Sequence, residues 1–250
     1  VEPGEIVTIV DGQIYSDWIY HADIKSRCIF EYIYFARTDS IIDGQSVYSS
    51  RVKAGSILAD KYPVEADLIV GVPESGLAAA VGYSQGSNIP YGMAFYKNSY
   101  VGRTFIKPKQ NERTAGVQAK LNVIRDVVKG KRIVMVDDSI VRGTTIRNIV
   151  MMLKDAGALE VHVRISSPPF KHPCYYGTDV PSSENLVAVN NTIEEIRESI
   201  NADSLGFLGI EDLGQLCPGL DYCDACFTGK YTGGIPSDPT KTSSCSSKVV

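Results

Sequence analysis

The chain has 250 residues, of which 44% are hydrophobic and 22% are charged, a composition typical of one globular domain with a small appendage. Its formal net charge of −4 argues against a nucleic-acid partner, because proteins that bind nucleic acids usually carry a basic patch. No stretch approaches the roughly 20 apolar residues that a membrane helix needs, so we expect no membrane partner and a cytoplasmic location.

The predicted elements alternate between strands and helices along most of the chain. The first 20 residues predict a hairpin that turns at Asp11-Gly12, and Trp18 is expected in the core. Apolar runs predict strands at 28–35, 67–72, 89–95, 132–136 and 161–165. Helical spacing predicts helices at 46–60, 77–85 and 192–208, and another after the strand at 132–136, ended by Gly157.

This alternation is typical of an α/β fold whose mainly parallel sheet is covered by helices on both faces. Ligands of such sheets bind beyond the carboxyl ends of the strands. We expect a main domain at 21–190 and a helical, cysteine-bearing extension at 191–232, while the Ser, Thr and Pro content of 233–250 predicts a disordered tail.

The segment 134–145 lies where a buried strand runs into a helix, and it reads Val-Met-Val-Asp-Asp-Ser-Ile-Val-Arg-Gly-Thr-Thr. Such a junction offers free N–H groups and the positive end of the helix dipole to a phosphate. The adjacent Asp137 and Asp138 would repel one another unless a cation or sugar hydroxyls lay beside them. The segment therefore predicts a site for a phosphorylated sugar with magnesium. For the Asp pair alone, helix capping in a solvated turn is the alternative.

The same segment resembles the 5-phosphoribosyl 1-pyrophosphate (PRPP) motif of type I phosphoribosyltransferases. The resemblance implies that Asp137 and Asp138 handle Mg²⁺ and the ribose hydroxyls. It also implies that the turn after them holds the 5-phosphate, through Ser139, Arg142, Gly143, Thr144 and Thr145.

A second loop, Pro73-Glu74-Ser75-Gly76, follows the strand at 67–72. Alone it is an ordinary strand-to-helix turn, whose N–H groups could hold a pyrophosphate and whose Ser75 could reach a cation. Beside the first motif it resembles the pyrophosphate loop of the same family, which implies PRPP contacts from Glu74, Ser75 and Gly76 and a magnesium contact from Ser75.

The segment from Lys97 to Lys107 is basic within an acidic protein, as a mobile lid over a pyrophosphate leaving group would need to be. A solvated basic loop is the alternative. The segment closely resembles the flexible active-site loop of glutamine phosphoribosylpyrophosphate amidotransferases, and this resemblance covers nearly the whole chain to about Tyr231. It implies catalytic roles for Lys97, Arg103 and Lys107, which would stabilise the charge that grows on the pyrophosphate.

The activity that the resemblance implies is the first step of purine nucleotide biosynthesis, in which PRPP and ammonia give 5-phosphoribosylamine and pyrophosphate. In that family an amino-terminal glutaminase domain supplies the ammonia. Because the hairpin at 1–20 resembles the last strands of that domain, we expect this chain to be a carboxyl-terminal portion. The family also implies a homo-oligomer and feedback inhibition by purine nucleotides. The alternatives are a PRPP-binding regulator, which needs no lid, and a salvage phosphoribosyltransferase, which would bind a nucleobase.

Six cysteines are too few for a secreted disulfide scaffold and suit a reducing compartment. Cys223 and Cys226 form a C-x-x-C, which alone is compatible with zinc, a redox pair or an iron–sulfur cluster, with zinc favoured by the spacing. The surrounding strings resemble the ligand sites of cluster-bearing amidotransferases, which implies that a structural [4Fe–4S] cluster is bound by Cys28, Cys174, Cys223 and Cys226. Cys217 is a rival ligand.

Overall fold

The computed structural model describes residues 1–2, 4–18, 26–98, 121–178, 180 and 182–235. The predicted catalytic residues Arg103 and Lys107, and all but the start of the predicted tail at 233–250, lie outside these ranges. None of the helices within them is both long enough and apolar enough to cross a membrane.

Strands and helices are interspersed along the described ranges. The strands are β1 (Glu5–Val10), β2 (Gln13–Trp18), β3 (Arg27–Cys28), β4 (Ile41–Ile42), β5 (Gln45–Ser46), β6 (Leu68–Gly71), β7 (Phe95–Lys97), β8 (Leu121–Val123), β9 (Arg132–Asp137), β10 (Glu160–Ile165), β11 (Ser204–Phe207) and β12 (Tyr222–Cys223). The α-helices are α1 (Val47–Lys61), α2 (Gly76–Ser87), α3 (Arg125–Val128), α4 (Thr144–Asp155), α5 (Val187–Asn190), α6 (Ile193–Ser199) and α7 (Ala225–Thr228). A π-helix spans Glu31–Phe35, and 3-10 helices span Ser183–Asn185 and Ile210–Gln215.

The central sheet has the strand order β11-β10-β9-β6, and each neighbouring pair is parallel. Side chains alternate across a strand, so β9 sends Val134 and Val136 into one apolar cluster and Ile133 and Met135 into another. Residues of α1 and α2 complete the first cluster, and residues of α4 complete the second. The predicted α/β fold, with a mainly parallel sheet covered on both faces, is therefore confirmed.

The predicted helices beside this sheet are confirmed with small shifts of their ends. The prediction at 46–60 corresponds to α1, and the prediction at 77–85 corresponds to α2. The apolar residues of α4 face the core as the spacing indicates, since Ile146, Ile149, Val150 and Leu153 are all buried. Gly157, two residues beyond the end of α4, has a positive φ of 97°, which fits its predicted role in ending the helix.

The strand predicted at 28–35 is wrong. Only Arg27–Cys28 is extended, and the π-helix Glu31–Phe35 follows. Tertiary contacts favour the helix, because the buried Arg51 side chain donates hydrogen bonds to the carbonyl oxygens of Tyr32 and Ala36. These bonds satisfy backbone groups that a strand would have presented to a neighbouring strand.

Two further predictions are wrong over part of their length. The strand expected at 89–95 is reduced to Phe95–Lys97, preceded by a single bridge from Tyr91 to Ile69, since Pro90 has no N–H group to donate. The helix expected at 192–208 stops at Ser199, and Ser204–Phe207 pairs with β10 as β11. Pairing at an open edge of the sheet outweighs the helical spacing of the apolar residues.

The amino-terminal hairpin is confirmed as β1 and β2, which pair antiparallel from Glu5 to Val10. Asp11 and Gly12 form the turn with φ values of 49° and 77°, and two positive φ values are typical of a tight hairpin turn. The expectation that Trp18 lies in the core is wrong, because its side chain is 45% exposed.

The pH dependence of stability is expected to respond to His162, a buried histidine of β10. Its Nδ1 lies 2.9 Å from Ser204 Oγ and its Nε2 lies 2.9 Å from Glu160 Oε2. Burial lowers the pKa of His162 from 6.5, against the opposing effect of Glu160. The unfolded chain therefore binds a proton more readily than the folded chain, so the stabilisation is present above about pH 6.5 and is lost as the pH falls through the folded pKa.

We expect His162→Asn to show a smaller loss of unfolding free energy between about pH 7 and pH 5 than the unchanged protein. Urea unfolding at a series of pH values measures this difference. An identical profile for His162→Asn would contradict the assignment.

Candidate functional site

An acidic pair lies at the carboxyl end of β9, as the sequence predicts. Asp137 is the last residue of the strand and Asp138 follows it, and the two are 8% and 7% exposed. The Asp138 N–H donates to Asp137 Oδ1 at 2.9 Å. Burial, followed by the charge of Asp138, raises the pKa of Asp137 well above its usual range. Two buried carboxylates at an edge where ligands bind suit a cation or sugar hydroxyls.

The second predicted loop, at residues 73–76, contacts the acidic pair through Ser75. Ser75 Oγ, 63 residues earlier in the chain, donates to Asp138 Oδ2, and Ser139 Oγ donates to Asp138 Oδ1. The parallel register explains the meeting, because Gly71 at the end of β6 lies opposite Val136 near the end of β9. Loops that follow neighbouring parallel strands emerge at the same edge of the sheet.

Gly76 permits this approach by packing closely against β9. A Cβ atom at Gly76 would lie 2.4 Å from the Val136 carbonyl oxygen, too close for any side chain, and 3.2 Å from Asp137 Cα. The Gly76 N–H, which the sequence suggested for pyrophosphate, donates to the Val72 carbonyl oxygen at 2.9 Å. In this structure Gly76 therefore positions the loop, and its own N–H is already engaged.

The turn between β9 and α4 has the features of a phosphate-binding helix start. Gly143 adopts φ 80° at the N-cap, where it has no side chain to occupy the first N–H groups of α4. Arg142, Thr144 and Thr145 are exposed. Behind the turn, the Val187 N–H donates to the Val141 carbonyl oxygen at 2.9 Å, which supports the loop from α5.

Lys97 lies at the end of β7 and contacts the second loop. Its Nζ is 3.0 Å from Glu74 Oε1, with the side chains 33% and 76% exposed. These contacts link six of the predicted residues in one region. The six are Glu74, Ser75, Lys97, Asp137, Asp138 and Ser139. Arg103 and Lys107, predicted to act beside Lys97, lie outside the described residues.

Arg51 of α1 is a buried charged residue that was not among the predicted residues. It is 3% exposed, and it donates to the carbonyl oxygens of Tyr32 and Ala36 and to Thr38 Oγ1, at 3.0, 2.8 and 2.9 Å. Burial lowers its pKa, and the charge of Asp138 opposes that effect, so the guanidinium provides a buried positive charge near the acidic pair. The sequence could have indicated this residue, because Arg51 is a charged residue on an otherwise apolar helix face, with Val47 and Ala54 one turn away on either side.

A second region gathers the four predicted cluster ligands around one cavity of about 980 Å³. Cys28 pairs with Cys223 in the register of β3 and β12, and Cys174 and Cys226 complete the set. Cys217, the rival ligand, does not line the cavity and is 1% exposed. The structure therefore separates the four cysteines from Cys217, a distinction that depends on the tertiary fold.

The four thiols differ in their electrostatic surroundings. Burial, with smaller effects from neighbouring thiols, raises the pKa of Cys28 to about 11 and raises the pKa of Cys226 further. Burial acts in the same direction on Cys174, but backbone N–H donors outweigh it and lower the pKa; those of Tyr176 and Thr178 lie 3.5 and 3.4 Å from the sulfur. Among the described residues no three His, Cys, Asp or Glu side chains form a group that could hold a metal ion.

Comparison with known proteins gives consistent matches. The family model described as "Phosphoribosyl transferase domain" matches residues 44–173, more than half of the chain. An amidophosphoribosyltransferase of Bacillus subtilis is 51% identical over 245 residues, which are 95% of this chain and 51% of that protein. One from Synechocystis is 50% identical over 239 residues, 94% of this chain and 48% of that protein. The chain thus spans about half the length of these relatives.

Solved structures agree with the sequence matches. One, described as the structure of the allosteric regulatory enzyme of purine biosynthesis, has a TM-score of 0.83 and 51% identity, covering 96% of this chain and 53% of its own. Another, glutamine PRPP amidotransferase from B. subtilis complexed with ADP and GMP, has a TM-score of 0.83 and 51% identity, covering 95% and 54%. The type I phosphoribosyltransferase architecture expected from the sequence is confirmed by these matches.

Proposed function

This chain belongs to the phosphoribosyl transferase domain family, and on that premise we propose that it transfers the phosphoribosyl group of PRPP to ammonia. The products are 5-phosphoribosylamine and pyrophosphate, in the first step of purine nucleotide biosynthesis. One observation carries the proposal: Ser75 of the second loop donates to Asp138, five residues before the Gly143 N-cap of α4. This contact supports the proposal because it joins the 73–76 loop to the acidic pair that precedes the β9–α4 turn. The choice of ammonia as acceptor rests on the similarity to amidophosphoribosyltransferases.

In the proposed complex, each part of PRPP meets a chemically matched part of the site. The 5-phosphate binds at the start of α4, where the first N–H groups and the hydroxyls of Thr144 and Thr145 are donors and Arg142 adds a positive charge. The ribose hydroxyls bind to Asp137 and Asp138. The pyrophosphate lies along the 73–76 loop, within reach of Lys97.

The oxygen donors at this edge fit a magnesium ion. Asp137, Asp138 and the Ser75 hydroxyl are hard ligands, and Mg²⁺ is commonly held by one or two carboxylates together with substrate phosphates. These three residues would hold the ion, which would neutralise part of the pyrophosphate charge.

The proposed transfer needs no nucleophile from the protein. A C1–N bond to ammonia forms as the C1–O bond to pyrophosphate breaks, the leaving group takes the electron pair, and the attacking nitrogen releases a proton to solvent. Lys97, together with Arg103 and Lys107, stabilises the negative charge that grows on the pyrophosphate. The site contributes orientation and electrostatic stabilisation, and exclusion of water protects PRPP from hydrolysis.

We also propose that Cys28, Cys174, Cys223 and Cys226 bind a [4Fe–4S] cluster. The donor set fits, because these clusters are held by four thiolates and the four sulfur-bearing residues line one cavity. Bound there, a cluster would cross-link β3, the loop that contains Cys174, and the β12–α7 region, which is a structural role.

Three proposals concern partners. The ammonia would come from a glutaminase domain outside the residues of this chain, in keeping with the name of the B. subtilis amidotransferase. Purine nucleotides would act as feedback inhibitors, since that amidotransferase was solved with ADP and GMP. The protein would also assemble as a homo-oligomer.

The direct test supplies the purified chain with PRPP, Mg²⁺ and ammonium and follows pyrophosphate and phosphoribosylamine. We expect ammonium-dependent formation of both products. Replacing ammonium with adenine or hypoxanthine tests the salvage alternative, which requires nucleotide formation. PRPP binding without turnover under any of these conditions, in a folded and cluster-loaded protein, would favour the regulator and refute the proposed activity.

A further inference from the structure

Glu74 and Lys97 form an ion pair across two segments of the predicted site. Lys97 Nζ lies 3.0 Å from Glu74 Oε1, although Glu74 lies in the loop after β6 and Lys97 ends β7. The Glu74 side chain is 76% exposed and that of Lys97 is 33% exposed, so both can reach a ligand that enters from solvent. An exposed pair of this kind contributes little to folding stability.

The backbone on the Glu74 side of the pair is firmly fixed. Ser75, the next residue, donates to Asp138, and Gly76 packs its Cα against the β9 backbone. The Leu77 N–H donates to the Glu74 carbonyl oxygen at 3.4 Å. The Glu74 carboxylate therefore lies on a loop whose backbone is fixed beside the acidic pair.

Lys97, on the other side of the pair, contributes a flexible side chain. It ends the three-residue strand β7, where it pairs with Leu121 at the start of β8. A lysine side chain has four rotatable bonds and loses rotamer entropy when it is fixed, so a partner that fixes it beforehand lowers the cost of binding. An ammonium group also has three N–H donors, so it can donate to a carboxylate and to a phosphate oxygen at the same time.

We infer that Glu74 is a positioning residue that holds the Lys97 ammonium over the 73–76 loop, ready to contact the pyrophosphate of the substrate. This inference rests on the proposed function. It assigns Glu74 a role through Lys97 and replaces the direct PRPP contact that the sequence suggested. A carboxylate beside a pyrophosphate would repel it, and the intervening ammonium removes that repulsion. An orienting carboxylate beside a phosphate-binding lysine has a general counterpart in protein kinases.

The test is a double-mutant cycle on Glu74 and Lys97 in the full chain, with PRPP and ammonium as substrates and Mg²⁺ present. Glu74→Gln removes the charge and retains the shape. We expect it to lower kcat about five- to twentyfold while the KM for PRPP changes by less than about twofold, because Lys97 acts on charge that grows in the transition state. In a Lys97→Met background, the same change should alter kcat by less than about twofold, since the lysine that it orients is absent.

Glu65→Gln is the matched control. Glu65 also forms an exposed ion pair, with Arg132 at 3.4 Å, but it precedes β6 and so lies at the opposite edge of the sheet. This variant should retain the kcat and KM of the unchanged protein.

Two results would overturn the inference. Equal losses from Glu74→Gln with and without Lys97 would show that Glu74 contacts the substrate itself. A gain in rate would show that Glu74 competes with the pyrophosphate for the lysine. If the unchanged protein makes no phosphoribosylamine, the proposed function is refuted while the inference about Glu74 is still open to test. The inference is then tested by calorimetry with pyrophosphate and Mg²⁺, in which Glu74→Gln should bind pyrophosphate more weakly than the unchanged protein does.

Discussion

Asp137→Asn is expected to stabilise the fold while lowering PRPP turnover by on the order of a hundredfold or more. Asp137 is 8% exposed, and burial together with the charge of Asp138 raises its pKa well above the usual range. A carboxyl group whose folded pKa exceeds its unfolded value destabilises the folded state as the pH rises above the unfolded pKa, near 3.9. Asparagine removes that charge and retains the oxygen that accepts from the Asp138 N–H.

We therefore expect a gain of about 1–2 kcal/mol in the free energy of unfolding near pH 7, measured by urea unfolding without substrate. The gain should shrink as the pH falls towards about 4 and vanish below that pH, where Asp137 is protonated in both states. Asp155→Asn, at the opposite end of α4, is a matched control on an exposed residue and should change stability by less than about 0.5 kcal/mol and leave turnover unchanged. Full activity in Asp137→Asn would remove this residue from the substrate site.

Cys226→Ser is expected to abolish assembly of the proposed cluster. Cys226 lines the cavity with three other cysteines, and burial raises the pKa of its thiol, so coordination must supply the energy that keeps it as a thiolate. After anaerobic reconstitution with iron and sulfide, the unchanged protein should develop a broad absorption band near about 400 nm, and Cys226→Ser should not. The free energy of unfolding of the reconstituted protein should also exceed that of the cluster-free protein by about 3 kcal/mol or more, because a ligand that binds only the folded state stabilises it.

Cys217→Ser is the control for this experiment. Cys217 is nearly as buried as a core residue can be, its Sγ lies 3.9 Å from the Leu213 carbonyl oxygen, and it does not line the cavity. This variant should retain the absorption band. Loss of the band in Cys217→Ser with retention in Cys226→Ser would refute the proposed ligand set, and a colourless protein that contains zinc would refute the cluster.

The strongest functional signal could be read from the sequence because it is contained in one uninterrupted segment. Residues 132–155 supply a buried strand, an acidic pair, a glycine-led turn and an amphipathic helix in direct succession, and the structure has β9, Asp137, Asp138, Gly143 and α4 in these places. Local periodicity was sufficient here because each element buries the face that its own sequence makes apolar.

Local patterns failed where a distant contact competed with them. Residues 204–207 continue a helical spacing, yet they complete the sheet as β11 because an edge strand offers unpaired backbone groups along β10. Residues 31–35 read as a strand, yet they form a π-helix whose carbonyl oxygens receive hydrogen bonds from Arg51. In both cases the deciding hydrogen-bond partner comes from another part of the chain.

By itself, then, the sequence determined the α/β class, three strands of the central sheet with the helices that pack on them, and the glycine-led turn after the acidic pair. These features depend on neighbours within a few residues. Family resemblance added candidate cysteines and a basic segment. Only the tertiary structure decided which cysteines share a cavity, that Ser75 reaches Asp138, and that Glu74 holds Lys97. Those contacts join residues far apart in the chain, and their distances follow from how parallel strands align at one edge of the sheet and how the helices pack against it.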